Sequence, residues 1–308
     1  MPLAVGNYSQ QGMRLTVNAM IKDPLFVRAR LLDIARNEFM MEDLLRNAGQ
    51  NNSGVVAYAE SEGLYADEDP SVVAEGGEIP LITTSQGLQK AAFGVKLGAG
   101  IEITREARDR NRVDQVIRSI TKVRNTFVRT WERRMFQALL TAPTLTMAAS
   151  AAWGTASTNI RSDVLTAMRA VREASVSGAT PGPLVDDYLG FEPDTLVMST
   201  RTEAKFFNNT SVTEVYKYGG ALDTKQPMYT GTLEREFMGL RILRSRFMAD
   251  DIVWILQRKE VGGYSDERPL QITPLYEDKP RETWRADAVR NTVLFIDQPK
   301  AAIKITGI

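Results

Sequence analysis

Between Tyr58 and Pro80 the chain carries seven carboxylates, Glu60, Glu62, Asp67, Glu68, Asp69, Glu75 and Glu78, and no Lys or Arg. Carboxylates at this density can do acid–base work in pairs or ligate a hard cation. Neither pattern is met. Asp67, Glu68 and Asp69 lack the loop spacing of an EF-hand and read as solvated. No paired-acid spacing supports a hydrolase. The opposite charge follows closely: from Ile101 to Thr141, ten basic residues stand against five acidic ones. Charge runs are usually solvated faces. An acidic segment next to a basic one can also meet it, within one chain or between copies.

The remaining inventory removes most other chemistry. The 308 residues include no His and no Cys, and 38 Lys plus Arg balance 38 Asp plus Glu. A Ser-His-Asp triad, a Cys-His dyad, a His/Cys zinc site and a disulfide all lack their parts. A Ser-Lys pair stays open on spacing alone, and nothing favours it. There is no GxxxxGK[ST], and the Gly-rich stretch Leu97–Ile101 lacks the third glycine of a dinucleotide fingerprint and its downstream acid. No apolar run approaches the roughly 18 residues of a membrane span. The start, MPLAVGNYSQQGMRL, does not read as a signal peptide. The sequence implies no cofactor, no metal, no membrane and no enzyme.

The elements that position these charges follow from periodicity. Asp23-Pro24 reads as an N-cap and N1 proline opening a helix that stops at Asn47-Ala48-Gly49, on an arm rather than in a folded domain. Residues 51–100 are Gly-rich with β-prone pieces. In Gln89–Leu97 the residues Ala91, Phe93, Val95 and Leu97 alternate against Ala92, Gly94 and Lys96, which predicts a strand with that first set buried. A long hairpin with an acidic turn results. An isolated hairpin is marginal in water, so it must lie on something else. Val113, Val116, Ile117, Ile120, Val123, Phe127, Trp131, Met135 and Leu139 recur at steps of three and four. They predict a helix from about Val113 to Thr141, roughly 43 Å long, closed by Pro143.

Beyond it, residues 144–158 read as a small, polar linker. Asn159 to Gly178 reads as a helix with Val164, Leu165, Met168 and Val171 on one side. Thr195–Met198 reads as a strand, and Thr200–Glu203 has the spacing of a capping box for a helix to about Asn208. Strands are predicted at Gly239–Leu243, at Ile252–Leu256 and over most of 262–308.

In that order, these elements resemble a tailed-bacteriophage major capsid protein of the Hong Kong 97 fold. DTLVMSTRTEAKFF (194–207), GTLEREFMGLRILRSRFMADDIVWI (231–255) and AVRNTVLFIDQPKAAIKITGI (288–308) carry the resemblance most specifically. It implies an α+β, Hong Kong 97-like capsid fold. The N-terminal arm would be residues 1–52 and the extended β-hairpin loop 53–99. A peripheral domain with a long spine helix would take 100–160 and 262–292. An axial α/β domain would take 161–261 and 293–308. The resemblance also implies a structural protein that self-assembles, as hexamers and pentamers, into an icosahedral head enclosing double-stranded DNA without sequence-specific binding. It would be assembled in the host bacterial cytoplasm and kept in the virion capsid. Scaffolding, portal and decoration proteins are the further partners open to it. No motif carries over the lysine–asparagine cross-link of some relatives.

The interface expected on these grounds joins the acids Glu60 to Glu78 of one copy to Arg124, Arg129, Arg133 and Arg134 on a neighbour's long helix. The same fold could instead serve a bacterial nanocompartment shell. A reading from another class is a DNA-binding protein using the basic helix. Against it, the helix arginines surround an apolar stripe, and the chain is neutral where such modules are usually basic.

Overall fold

The computed structural model describes residues 17–22, 40–61, 63, 66, 68, 70–84, 87–155, 158–175, 188–212 and 236–308. Its organising element is a helix over Val113–Thr141. Neither Gly nor Pro interrupts those 29 residues. Ser119, Thr121, Thr130 and Thr141 each donate their hydroxyl to the carbonyl four residues back, so the polar side chains are satisfied on the helix itself. The helix stops where Ala142 turns extended ahead of Pro143.

The helix joins two cores. Val116 and Ile120 pack with Ile101, Ile103, Ile272 and Ala286, and with Val17 and Met20 from the N-terminal turn of helix Val17–Lys22. Phe127, Trp131, Met135 and Leu139 belong to the larger core. Ile117 of the expected stripe is 36% exposed. The stripe drifts instead onto Val128, Glu132 and Phe136, which are buried.

Two sheets lie on these cores. In the first, β12 (Thr283–Phe295) is the central strand. It pairs antiparallel with β4 (Val95–Thr104) on one side, and with β10 (Gly263–Ile272) and β11 (Tyr276–Asp278) on the other. The second sheet runs in the order β5 (Leu145–Ala148), β13 (Ala302–Thr306), β9 (Ile252–Leu256), β6 (Thr195–Ser199), β8 (Leu240–Ser245), β7 (Glu236–Phe237). β6 is buried along its whole length. It shares the larger core with Val164, Met168 and Val171 of helix Ile160–Arg172 and with Phe206 of helix Thr200–Asn208.

Several sequence expectations change here. Of the N-terminal helix expected from Asp23-Pro24, residues 23–39 lie outside the described residues. The described part, Met40–Leu44, ends before Asn47. Residues Arg46–Gln50 then form β1, parallel to β10. The edge of β10 supplies hydrogen-bond partners that a helix could not use: Arg46 N–H donates to Gly262 C=O at 3.0 Å and Ser265 Oγ donates to Gly49 C=O at 2.9 Å. Met41, Leu44 and Leu45 are core residues, so this stretch is bound into the body.

The expected linker at 144–158 holds the edge strand β5, parallel to β13. It also holds Trp153, fully buried, whose indole N–H donates to Asp163 at 3.2 Å. Small residues there allow close packing rather than freedom. Leu165 is 44% exposed and leaves the buried side to Ala167. The helix after β6 is capped one residue early, by Ser199 accepting from Thr202 N–H at 3.1 Å.

Arg290, on β12, is the polar centre of the first sheet. Its guanidinium is 3% exposed and is held by Glu42 at 3.1 Å and by Asp266 at 2.9 Å. It lies over the rings of Trp131, at 5.5 Å, and Tyr264, at 5.7 Å. One side chain thus ties the N-terminal segment, the long helix and two strands together.

Candidate functional site

The hairpin is formed by β2 (Val55–Glu60) and β3 (Leu88–Phe93), paired from Val55 opposite Phe93 to Glu60 opposite Leu88. Its two faces are unlike. Tyr58 points at the body and stacks on Phe295 with ring centroids 5.4 Å apart. Glu60 and Lys90 of the same parity form an ion pair at 2.5 Å. The other face carries Val55, Ala57, Ala91 and Phe93, and it points to solvent. Phe93 is 71% exposed and Val55 38%. The alternation read from the sequence is therefore real, but its apolar side is bare. Further along the same parity, Ile101 and Ile103 of β4 are covered by the long helix. One apolar stripe is half covered by its own chain and half open.

The root of the hairpin is fixed by backbone contacts. Ser61 N–H donates to Asp297 C=O at 2.9 Å, and Gly94 N–H donates to Gly54 C=O at 2.7 Å. A Cβ on Gly94 would sit 3.1 Å from that carbonyl and 3.3 Å from Asn291 Oδ1, so the close approach favours glycine. Arg46 pairs with Asp297 and lies over Phe295. Burial pushes the Asp297 carboxyl above its ordinary range, and Arg46 pulls it part of the way back.

Of the acids expected at an interface, Glu62, Asp67 and Asp69 lie outside the described residues. Glu60 is committed to Lys90. Glu68, Glu75 and Glu78 are exposed on the irregular stretch between the two strands. They share it with Val72, Ile79 and Leu81, which are 80% exposed or more. Among the described residues, none of these three acids pairs with the long helix, so one chain does not bring the expected partners together.

The four expected arginines do not act as one set. Arg133 is exposed. Arg134 lies over the ring of Trp131 at 5.6 Å, and burial lowers it from its usual value. Arg124 and Arg129 line a cleft of about 1000 Å³ between the long helix and β8. Its far wall supplies Arg241, Arg244 and Arg246, which sequence reasoning missed. The signal available was LRILRSR (240–246), which served only for the strand at Gly239–Leu243 and for the family resemblance.

At the base of the cleft Glu132 is buried and accepts a hydrogen bond from Ser245 Oγ at 2.7 Å. Burial raises its carboxyl above the ordinary value, and the hydrogen bond opposes that in part. An acid with a raised folded value holds its proton more tightly folded than unfolded. Its contribution therefore favours folding below the unfolded value and is lost as pH rises through the folded one. Glu132→Gln keeps an acceptor for Ser245 and removes the buried charge. It is expected to stabilise the subunit by on the order of 1 kcal/mol at neutral pH. That gain should vanish below about pH 4, where the native acid is protonated as well. Urea melts at both pH values test this; an equal gain at both would sink it.

A family model described as phage capsid protein matches residues 89–305. The chain belongs to that family. It is a structural protein of the phage head, with the α+β Hong Kong 97 fold of a tailed-phage major capsid protein. The structure is similar to the capsid of the cyanophage P-SCSP1u, at a TM-score of 0.60 and 11% identity, covering 87% of this chain and 88% of that one. It is also similar to a virus-like particle from Pyrococcus furiosus, at 0.57 and 12%, covering 91% and 97%. A phage-related protein from Bordetella bronchiseptica RB50 is similar at 0.56 and 17%, covering 90% and 96%. The comparison with curated proteins found no match. Among the described residues no helix is long and apolar enough to cross a membrane.

Proposed function

We propose that the chain is the repeating tile of an icosahedral head, meeting its own copies in hexamers and pentamers around packaged double-stranded DNA, with no catalytic role. The observation that carries this is the hairpin. A solvated strand pair with Phe93 71% exposed, beyond which Val72 and Leu81 stand almost fully exposed, cannot be complete as a single chain. In a closed homo-oligomer the cover is another copy. On this reading residues 1–52 are the arm and 53–99 the loop that reaches a neighbour. Residues 100–160 with 262–292 are the peripheral part, and 161–261 with 293–308 the axial part. The pairing of Leu145–Ala148 with β13 favours closing the peripheral part near Pro143.

Acids of the loop would meet basic residues of the neighbour's long helix, setting register and assembly rate more than affinity, since exposed pairs contribute about 0–1 kcal/mol each. Assembly would take place in the host cytoplasm, with scaffolding, portal and decoration proteins as further partners. Electron microscopy of the purified protein tests the proposal. Icosahedral particles are expected; a monomer at high concentration that never assembles would overturn it. DNA-filled heads, as against small shells holding protein cargo, separate the phage reading from a nanocompartment.

A further inference from the structure

The long helix turns one side to solvent, and that side is basic. With a turn of about 100° per residue, Arg118, Lys122, Arg129 and Arg133 fall on one strip about 60° wide. All four are exposed. Their steps of four, seven and four residues space the cations about 6, 10 and 6 Å apart, in a row of about 22 Å. The helix holds two carboxylates, and Glu132 is buried, so it exposes only Asp114, in its first turn. Among the described residues, none of the four cations is in an ion pair. Arg112, Arg118 and Lys122 also line an open hollow of about 640 Å³ at the N-terminal end of the row. Most of its other lining is polar, from Asn111, Gln115 and Ser119.

Such a strip suits an anion that is long, repetitive and without apolar groups to bury. Interfaces between proteins centre on apolar anchors, and the strip has none from Gln115 to Arg133. Asn125 and Thr126 fill the gap between Lys122 and Arg129. A DNA duplex carries one negative charge per ~1.7 Å of axis, so roughly 13 phosphates would pass the row. Point charges on long side chains meet phosphates and read no base edges. We infer that this strip is where the subunit meets the packaged duplex, neutralising backbone phosphates without regard to sequence. The inference rests on the chain being the tile of a DNA-filled head, and it assigns the DNA contact to particular residues. Arg124 and Arg134 stand on other sides of the helix and lie outside the strip. A chain of zero net charge can in this way face a polyanion with a local excess of cations.

Unassembled subunits titrated with short fluorescent duplexes of two unrelated sequences, over a series of salt concentrations, test this. Wild type is expected to bind both alike. Its log K should fall against log salt with a slope of about −3 to −4, from roughly 0.9 per phosphate engaged. Arg118→Gln with Arg129→Gln should reduce that slope by about 2. Arg161→Gln with Arg268→Gln removes two exposed arginines elsewhere and should leave it as it was. Lys122→Gln should lose about one unit of slope, and Lys122→Arg none. Unchanged melting temperatures show that folding is intact. A slope that the strip variants leave unaltered, in subunits that still form particles, would overturn the inference and leave the tile reading standing. Variants that bind duplex as wild type does but no longer assemble would overturn it in favour of a contact between copies. A strong preference for one of the two duplexes would overturn it in favour of base readout. Wild-type subunits that never form particles would remove the tile reading, and a packaged duplex as the ligand with it.

Discussion

Arg290→Ala is expected to cost the subunit about 3–5 kcal/mol, the usual loss when one partner of a buried ion cluster is removed. The size follows from what remains. The guanidinium is 3% exposed, so protein groups rather than solvent satisfy it. Its removal leaves Asp266, which also takes the Thr292 hydroxyl, and Glu42 without their cation. It also strips the cation from the faces of Trp131 and Tyr264. For a chain this size the melting temperature should fall by roughly 5–8 °C. Lysine keeps the charge but has no planar fork to reach two carboxylates at once, so Arg290→Lys should recover only part. A change under about 1 kcal/mol on alanine substitution, measured by urea unfolding, would show that Arg290 is not the joint described here. Adding Glu42→Gln and Asp266→Asn to Arg290→Met should recover much of the loss, because no buried charge is then left alone.

Phe93→Glu should do the reverse: little to the subunit and nearly everything to the shell. With 71% of the residue exposed, the lone chain loses almost no packing, and surface changes of this kind stay within about 0.5 kcal/mol. Covered by a neighbour, the same ring would contribute on the order of 2–3 kcal/mol, once for every copy. A carboxylate buried there would add its desolvation cost. Gradient sedimentation and microscopy should show folded subunits and no particles. Particles at wild-type yield would mean that the open hairpin face is not an interface.

The contrast between these two residues marks what the sequence could and could not reveal. The long helix was legible to its ends, because 29 residues without Gly or Pro repeat one pattern and Pro143 stops it. The strands of the second half were legible for the same local reason. Periodicity states which side chains share a face, however, and not what lies against it. The alternation at Ala91 and Phe93 was visible, yet within one chain this face stands open to solvent rather than buried. The segment from Arg46 to Gln50 looked like the tail of a helix, since nothing local announces a partner strand more than two hundred residues on. Residues 144–158 looked like a linker for the same reason. Nothing in the sequence singled out Glu132 or Arg290. Only the converging of Ser245 on one, and of Glu42, Asp266 and Trp131 on the other, makes them buried. Arg241, Arg244 and Arg246 were passed over, because nothing local in the sequence says that they face Arg124 and Arg129 across a cleft.

The pairing of distant segments sets an order in time. β1 pairs Arg46 with Gly263, β4 pairs Thr104 with Thr283, and β5 pairs Leu145 with Ile303. Neither sheet can close while the ribosome is still adding residues short of these partners, and closure over such separations is slow. The hairpin pairs residues 55–60 with 88–93, yet it rests on Phe295 and Asp297 near the other end of the chain. A hairpin alone is marginal in water, so it too waits for that end. During synthesis, then, both sheets and the seat of the hairpin close together, and only when the chain is nearly complete.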